Sequence, residues 1–214
     1  MSLLAHDIQL GPLDNHYYVL VDSSTREAAV VDAGFEPDAL AAFVQQQGLV
    51  VKWILGTHAH YDHAAGVREL QQLVGGVYAL HRDEQPLLDS LTLQGSMFGF
   101  PPARAGTVGH WFADREIIPI GQESLEVILT PGHSPGHCAF RQDGHVWVGD
   151  VLFAGSVGRT DLPGGSFEIL RRSVHARLFT LPDDTVCHPG HGPCTTIGEE
   201  RVHNPFVGQA AGQP

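Results

Sequence analysis

The sequence predicts a compact, turn-rich protein of mixed α and β structure, and three observations support this. Of its 214 residues, 43% are apolar, which is enough to bury the core of one domain spanning residues 1–214. Only 17% are charged, while glycine and proline number 25 and 14. Short apolar runs also alternate with segments of helical period along the chain.

The first half of the chain predicts four strands and two helices. Val50–Leu55 is a continuous apolar and β-branched run, which is typical of a buried strand. Leu40, Phe43 and Val44 recur at helical spacing. The predicted strands are Tyr17–Val21, Ala28–Val31, Val50–Leu55 and Val77–Leu80, and the predicted helices are Pro37–Gln47 and Gly66–Val74.

The second half repeats this rhythm. The predicted strands are Ile117–Ile120, Leu125–Leu129, Cys138–Arg141, Val146–Val148 and Thr185–His188, and one helix is predicted at Phe167–Leu178. Residues 85–115 show no clear period, and they form either a long excursion at the mouth of a site or a packed irregular segment. Residues 206–214 are rich in glycine, glutamine and alanine, and we expect a flexible tail there.

Composition excludes several classes of function. A formal net charge of −12, without any lysine- or arginine-rich run, excludes nucleic acid as a partner. Three cysteines without close pairs indicate a reducing compartment. The sequence shows neither a signal peptide nor an apolar run of membrane-spanning length. We therefore expect a cytoplasmic protein without a membrane partner, and its oligomeric state stays open.

Histidine is unusually abundant, with 14 residues, and the densest group follows the strand predicted at Val50–Leu55. Residues 57–63, Thr-His-Ala-His-Tyr-Asp-His, place three imidazoles and one carboxylate in one short loop. So many metal-binding side chains cannot all point at one ion, but they can divide between two neighbouring ions. These candidate ligands are His58, His60, Asp62 and His63.

Three further candidates each follow the carboxyl end of a predicted strand, where the sheets of α/β proteins place their sites. They are His133, Asp150 and His191. A glycine directly before each of them lets the chain turn toward a shared cavity. The nine other histidines lack such partners and are predicted not to bind metal. His188 is the nearest alternative among them, because it lies close to His191.

The ligand count predicts two divalent metal ions. One ion would be held by three neutral imidazoles, those of His58, His60 and His133. The other would be held by a carboxylate and two imidazoles, those of Asp62, His63 and His191. Asp150 is placed to bridge them, since two close cations need an anion between them. Three nitrogen ligands and a bridge leave one position for water, the catalytic arrangement of zinc, although iron and manganese accept the same ligands.

This pattern resembles the signature of the metallo-β-lactamase superfamily. The loop 57–63 matches its main motif, the three later ligands follow in its order, and residues 31–34, Val-Asp-Ala-Gly, match the short motif that precedes them. The resemblance covers nearly the whole chain. It implies an αββα sandwich of the α+β class, with two sheets back to back, helices outside and metals at one edge. It also implies that Asp32 buttresses the ligands without binding metal.

Within that superfamily the chain is similar to the glyoxalase II group, the hydroxyacylglutathione hydrolases. Residues 153–161 resemble the segment in which a basic residue of that group holds glutathione, and Arg159 occupies that place. The alternative is that Arg159 pairs with Asp161 and braces the loop. The sequence leaves no room for the C-terminal helical domain of glyoxalase II, and Gly192 stands where that group has a tyrosine. The short, single-domain type is therefore the better match.

The resemblance implies metal-dependent hydrolysis of a small-molecule thioester, such as S-lactoylglutathione. A hydroxide that bridges the two ions attacks the carbonyl, and both cations stabilise the oxyanion. Asp62 is the expected catalytic residue, because it orients the hydroxide and can take its proton later.

Three other functions stay open. A persulfide dioxygenase on the same fold uses one iron held by two histidines and an aspartate. Its Gly-Arg-Thr-Asp segment matches residues 158–161, but Ser156 and Val157 replace the cysteine that usually precedes it. A lactonase shares the scaffold. A non-catalytic metal-binding module is disfavoured by the open coordination position.

Overall fold

The computed structural model describes residues 3–211, which form four layers. Two six-stranded sheets pack face to face, and helices cover the outer face of each sheet. This arrangement confirms the αββα sandwich of the α+β class. Within residues 3–211, no helix has both the length and the apolar character needed to cross a membrane.

The first sheet contains six strands in chain order. They are β1 (Leu4–Leu10), β2 (Asn15–Val21), β3 (Glu27–Val31), β4 (Val50–Leu55), β5 (Val77–Leu80) and β6 (Val108–Trp111). The first three strands pair antiparallel, whereas β3 to β6 pair parallel. Parallel neighbours require crossovers, which here contain helices. These are α1 (Pro37–Gln46), α2 (Tyr61–Ala64), α3 (Val67–Val74), a 3-10 turn (Arg82–Glu84), α4 (Gln85–Asp89) and α5 (Leu91–Phe98).

The second sheet is mostly antiparallel. Its strands are β7 (Ile117–Ile120), β8 (Glu123–Leu129), β9 (Cys138–Gln142), β10 (His145–Gly149), β11 (Val186–Pro189) and β12 (Thr195–Thr196). Only β10 and β11 pair parallel in this sheet, as far as the described chain shows. Their crossover is α6 (Phe167–Ser173), which continues into a π-helical turn (Val174–Leu178). α7 (Ile197–His203) and a 3-10 turn (Gln209–Ala211) follow β12.

Buried apolar side chains form three layers, one between the sheets and one under each set of helices. Leu55 of the first sheet and Phe140 and Trp147 of the second belong to the central layer. The alternation of inward and outward side chains along each strand lets one sheet serve two of these layers. The central layer holds the two sheets in the register that brings their strand ends to one edge.

The strands and helices predicted in both halves are confirmed to within two residues at each end, with the helix at Phe167–Leu178 divided into α6 and the π-helical turn. The expectation of a packed irregular segment at residues 85–115 is wrong, because this segment contains α4, α5 and β6. The other expectation, an excursion near the mouth of a site, is confirmed in its position, since Gln94, Phe98 and Phe100 line a cavity together with predicted ligands. The flexible tail expected at residues 206–214 stays a prediction, although one residue near its start packs against the fold. Val207 is buried, and its N–H donates to Asn204 Oδ1. Residues 212–214 of that tail lie outside the described residues.

Candidate metal centre

All seven predicted ligands converge at one edge of the sandwich. One loop after β4 supplies four of them, and the turns after β8, β10 and β11 supply one each. Their side-chain nitrogen and oxygen atoms form three overlapping groups, each with its atoms within 4.8 Å of one another. The residues in these groups are His58, His60, Asp62, His63, His133, Asp150 and His191.

Three imidazole nitrogens meet at one point of this edge. His60 Nδ1 lies 2.9 Å from His133 Nε2, which lies 3.2 Å from His58 Nε2. Burial and then the neighbouring imidazoles lower the pKa of His58 well below its usual value and that of His60 to about 3. Burial lowers the pKa of His133 too. These rings are therefore neutral, which is the form that binds a metal ion.

The second group combines one carboxylate with two imidazoles. Asp62 Oδ2 lies 3.2 Å from His191 Nε2 and 3.5 Å from His63 Nε2. Burial on its own would lower the pKa of His63, but the carboxylates of Asp150 and Asp62 outweigh it and raise that pKa well above its usual value. Without a cation, this group is therefore held together by ion pairs between histidine and carboxylate.

Asp150 lies between the two groups. Its Oδ2 is 3.8 Å from His133 Nε2 and 3.5 Å from His191 Nε2, and its Oδ1 is 3.4 Å from His63 Nε2. Asp150 Oδ1 and His63 Nε2 are both buried and lack a well-formed hydrogen bond within the described chain. Buried polar atoms without partners are costly, and a cation between them would satisfy both. The donor set and these two atoms thus fit a pair of divalent ions.

Asp32 braces the ligand loop from below. Its Oδ1 accepts the Thr57 N–H at 2.7 Å, and its Oδ2 accepts the Thr57 hydroxyl at 2.7 Å and faces His63 Nδ1 at 2.9 Å. The backbone of Asp32 has a positive φ of 60°, a conformation that costs a residue with a side chain some strain. Asp32 belongs to none of the groups that could hold an ion, so it acts through His63.

Glu84 is a residue at the candidate site that sequence reasoning missed. Its buried carboxylate accepts the Ala59 N–H at 2.8 Å and the Gly136 N–H at 2.7 Å. Ala59 lies inside the ligand loop of the first sheet, and Gly136 follows His133 of the second sheet. Glu84 therefore ties together two ligand loops that are far apart in sequence. Its burial raises its pKa, and no pattern in the sequence indicates this contact.

His137 and Asn15 are two further supports. His137 Nε2 accepts the Asp150 N–H at 3.1 Å, and its Nδ1 faces the Thr130 hydroxyl at 2.8 Å. Asn15 Nδ2 donates to Asp62 Oδ2 at 3.0 Å, and Asn15 also forms an isolated antiparallel bridge with His191. The start of β2 thus closes against the last ligand. His137 was predicted not to bind metal, and it belongs to no metal-capable group of the described residues.

Arg159 pairs with Asp161, which is the alternative to substrate binding that the sequence left open. Its guanidinium forms two 2.8 Å hydrogen bonds with Asp161, and the pair is largely exposed. The main-chain carbonyl of Arg159 faces His133 Nδ1 at 2.7 Å, which orients that ring toward the other imidazoles. Arg159 also lines the cavity above the metal centre.

That cavity, the metal cavity, has a volume of about 570 Å³. His60, Asp62, His133, Asp150 and His191 form its floor, and aromatic side chains form much of its wall. The aromatic residues are Tyr61, Phe98, Phe100 and Phe153. A volume of this size suits a small molecule, and an apolar wall above a polar floor strengthens electrostatic interactions at the floor.

This fold and this site define a metallo-hydrolase. The chain belongs to the metallo-β-lactamase superfamily, whose family model matches residues 10–191. It is 35% identical to the hydroxyacylglutathione hydrolase GloC of Haemophilus influenzae, and the match covers 88% of this chain and 91% of that relative.

Two solved structures are similar in both fold and sequence. The BLEG-1 B3 metallo-β-lactamase gives a TM-score of 0.88 at 36% identity, covering 95% of this chain and 99% of that one. TTHA1623 in a di-iron-bound form gives a TM-score of 0.86 at 37% identity, covering 94% of this chain and 100% of that one. These similar proteins thus differ in named activity, and one of them holds iron.

Proposed function

We propose that the protein is a metal-dependent hydrolase of thioesters, with a hydroxyacylglutathione such as S-lactoylglutathione as the first candidate substrate. The observation that supports this most directly is the paired ligand set at the floor of the metal cavity. The similarity to a hydroxyacylglutathione hydrolase over most of both chains supports the same reaction class. Free cysteines at Cys138, Cys187 and Cys194 support a cytoplasmic location.

We assign one ion to the three imidazoles of His58, His60 and His133. A second ion would be held by Asp62, His63 and His191, and Asp150 could contribute a carboxylate oxygen to each ion. Zinc is the first candidate for both positions because of the three-histidine group. Iron is the second, since a similar structure binds a di-iron centre. Bound there, two such ions would make a water molecule a strong nucleophile near neutral pH and polarise a substrate carbonyl.

Asp62 is the candidate proton acceptor. Burial opposes its ionisation, but His63 and the hydrogen bonds from His191 and Asn15 hold its pKa well below the usual value. It is therefore a carboxylate at neutral pH, fixed at the cavity floor, where it can orient an attacking water. Because so low a pKa makes it a weak base, it would take the proton only after the attack. A thiolate is a good leaving group, so the site needs no dedicated acid for it.

Arg159 is the candidate for binding the carboxylate of a glutathione moiety. A planar guanidinium can grip a carboxylate with two parallel hydrogen bonds, as it grips Asp161 here. A substrate carboxylate would take the place of Asp161, which is exposed and free to turn away. Arg159 is the only lysine or arginine among the described residues that line the metal cavity.

The test is elemental analysis of the purified protein together with a substrate panel. We expect two equivalents of metal per chain and rapid hydrolysis of S-lactoylglutathione. The panel includes a lactone and a β-lactam, because a similar structure is named as a B3 metallo-β-lactamase. One iron per chain with oxygen uptake on glutathione persulfide, and no thioester hydrolysis, would contradict the proposal.

A further inference from the structure

A second cavity lies beside the metal cavity, and the two share a wall. The second cavity has a volume of about 410 Å³. Four residues line both cavities, and they are His60, Gln94, Phe98 and Leu162. Because His60 is a proposed metal ligand and lines both cavities, the second cavity lies directly beside the metal centre.

The walls of the second cavity are mainly apolar. They include Leu87, Leu93, Met97, Phe98, Pro135 and Leu162. The ionisable side chains there are His60 and Asp83, and no lysine or arginine of the described residues lines it. A charged or hydroxylated group would lose its hydration in this cavity without gaining enough partners, whereas an alkyl or aryl group would be stabilised by leaving water.

One side of the second cavity is an apolar surface of helix α5. Leu93 and Met97 lie one helical turn apart and are 62% and 65% exposed, and the neighbouring Phe98 is 48% exposed. Single exposed apolar residues are common, but several of them gathered around one cavity mark a binding site. An apolar group in the second cavity would cover part of this surface.

The second cavity is fixed in position relative to the metal ligands. Gln94 Oε1 accepts the Tyr61 N–H at 2.9 Å, and its Nε2 donates to the carbonyls of Ala59 at 3.1 Å and Leu87 at 2.8 Å. Ala59 and Tyr61 are the two chain neighbours of His60. Gln94 thus holds α5 against the ligand loop, so a group bound in the second cavity has a defined position at the metal centre.

We infer that the second cavity binds an apolar acyl chain, and that among acyl thioesters of glutathione the enzyme favours those whose acyl chain extends into this cavity over those whose chain is too short to reach it. The inference rests on the proposed thioester hydrolysis. The acyl side is assigned here because Arg159 lines only the metal cavity, where it can hold a charged thiol such as glutathione. The two ends of such a substrate then lie in different cavities, with the reacting carbonyl between them near His60.

The test compares hexanoyl-glutathione with acetyl-glutathione, which share their thiol and differ only in the apolar acyl chain. We expect the metal-loaded protein to favour the hexanoyl thioester in kcat/KM by about tenfold or more, since each buried methylene favours binding. The double variant Leu93→Asn/Met97→Gln should reduce this ratio to below about threefold. Leu73→Asn is the matched control, because Leu73 is also a helical leucine, is 41% exposed and lies outside both cavities. It should keep the native ratio.

Hydrolysis of both thioesters at equal rates, or a double variant that keeps the native ratio, would overturn the acyl subsite and leave thioester hydrolysis standing. A native dimer that dissociates in the double variant, again without acyl preference, would assign the α5 surface to a second copy of the chain. If neither thioester is hydrolysed, calorimetry with hexanoate and acetate decides. If hexanoate binds more tightly than acetate and the double variant loses this difference, the apolar subsite is supported although the proposed reaction fails. If the two acids bind equally, the subsite is overturned as well.

Discussion

Strands β10 and β11 carry two groups of histidine contacts that differ in ring orientation and in nearby charge. Within the strands, His188 stacks on Trp147 and His145 with ring centres 5.2 Å away in both cases, and Cys194 Sγ lies 3.5 Å from its Nδ1. We call these four residues the histidine stack. Just past the same strands, Asp150 and His191 belong to the seven proposed ligands, which we call the metal cluster.

The difference lies in orientation and charge. In the metal cluster the rings of His58, His60 and His133 meet nearly edge to face, so that their nitrogens point inward, and two carboxylates stand beside them. In the histidine stack the rings are nearly parallel, and the hydrogen-bond partners of His188 are His145 and Cys194. Closeness of histidines is therefore not enough for a metal site, because converging lone pairs and nearby negative charge are also needed.

The largest expected effect is a loss of turnover in variants of the metal cluster that a variant of the histidine stack does not show. His133→Ala or Asp62→Ala should lower turnover of S-lactoylglutathione at least about a hundredfold, since each removes a strong electrostatic stabiliser of the reaction. His133→Ala should also lower the bound metal per chain. His145→Ala, the control from the histidine stack, should stay within about twofold of the native rate. Equal losses in His133→Ala and His145→Ala would break the distinction.

A smaller effect is expected for Glu84, which links the two halves of the metal cluster. Glu84→Gln keeps the shape but leaves only one acceptor oxygen, so its amide NH2 would face the N–H of either Ala59 or Gly136. We expect metal affinity to fall about tenfold to a hundredfold, the usual range for a residue that orients ligands. Metal competition with a chelator measures this. Glu116→Gln, whose carboxylate contacts His110 at a distance from the cluster, should leave the affinity unchanged.

The sequence could predict that the seven proposed ligands lie close together, because each follows the end of an apolar strand and strand ends can be read from residue order. It also contained an unread signal for α7, where Thr196 caps the helix by accepting the Glu199 N–H. Glu84 could not be found this way. Its contacts reach Ala59, 25 residues away, and Gly136, 52 residues away, and no local pattern encodes them. The sequence also could not decide whether Arg159 binds the substrate or pairs with Asp161, because the same residues allow both contacts.

Metal removal should affect stability through the metal cluster alone. A chelator should lower the Tm of the metal-loaded protein by about 5–10 °C, because ligands that bind only the folded state stabilise it. His133→Ala should show little of this shift, since its metal centre is incomplete. His188→Gln should show all of it. A chelator shift lost in His188→Gln would place the histidine stack in metal binding after all.

The smallest expected effect concerns acid. Burial and the nearby His145 lower the pKa of His188 to about 4, against 6.5 for a free histidine, while Asp7 acts in the opposite direction. The unfolded chain therefore binds a proton in this window that the folded chain does not, so the contribution of His188 to stability is complete above about pH 6.5 and declines as the pH falls toward 4.

Comparison of Tm values at pH 7 and pH 5 tests this contribution. The free energy of unfolding derived from these Tm values should fall less between pH 7 and pH 5 in His188→Gln than in the native protein. The difference should be at most about 1 kcal/mol, because the His188 ring is partly exposed. His188→Gln also removes contacts with Tyr18 and Cys194. His175→Gln, at an exposed histidine, is therefore the reference for the effect of losing one histidine on the pH dependence. An unchanged pH dependence in His188→Gln would assign the acid sensitivity to other groups.

The bridge between Asn15 and His191 has a consequence for biosynthesis. The ligand loop 57–63 leaves the ribosome early, but the centre closes only when residue 191 has been made and reaches back to the start of β2. Such a long-range contact forms late in folding. We therefore expect the complete set of proposed ligands to come together only after the two ends of the chain have met.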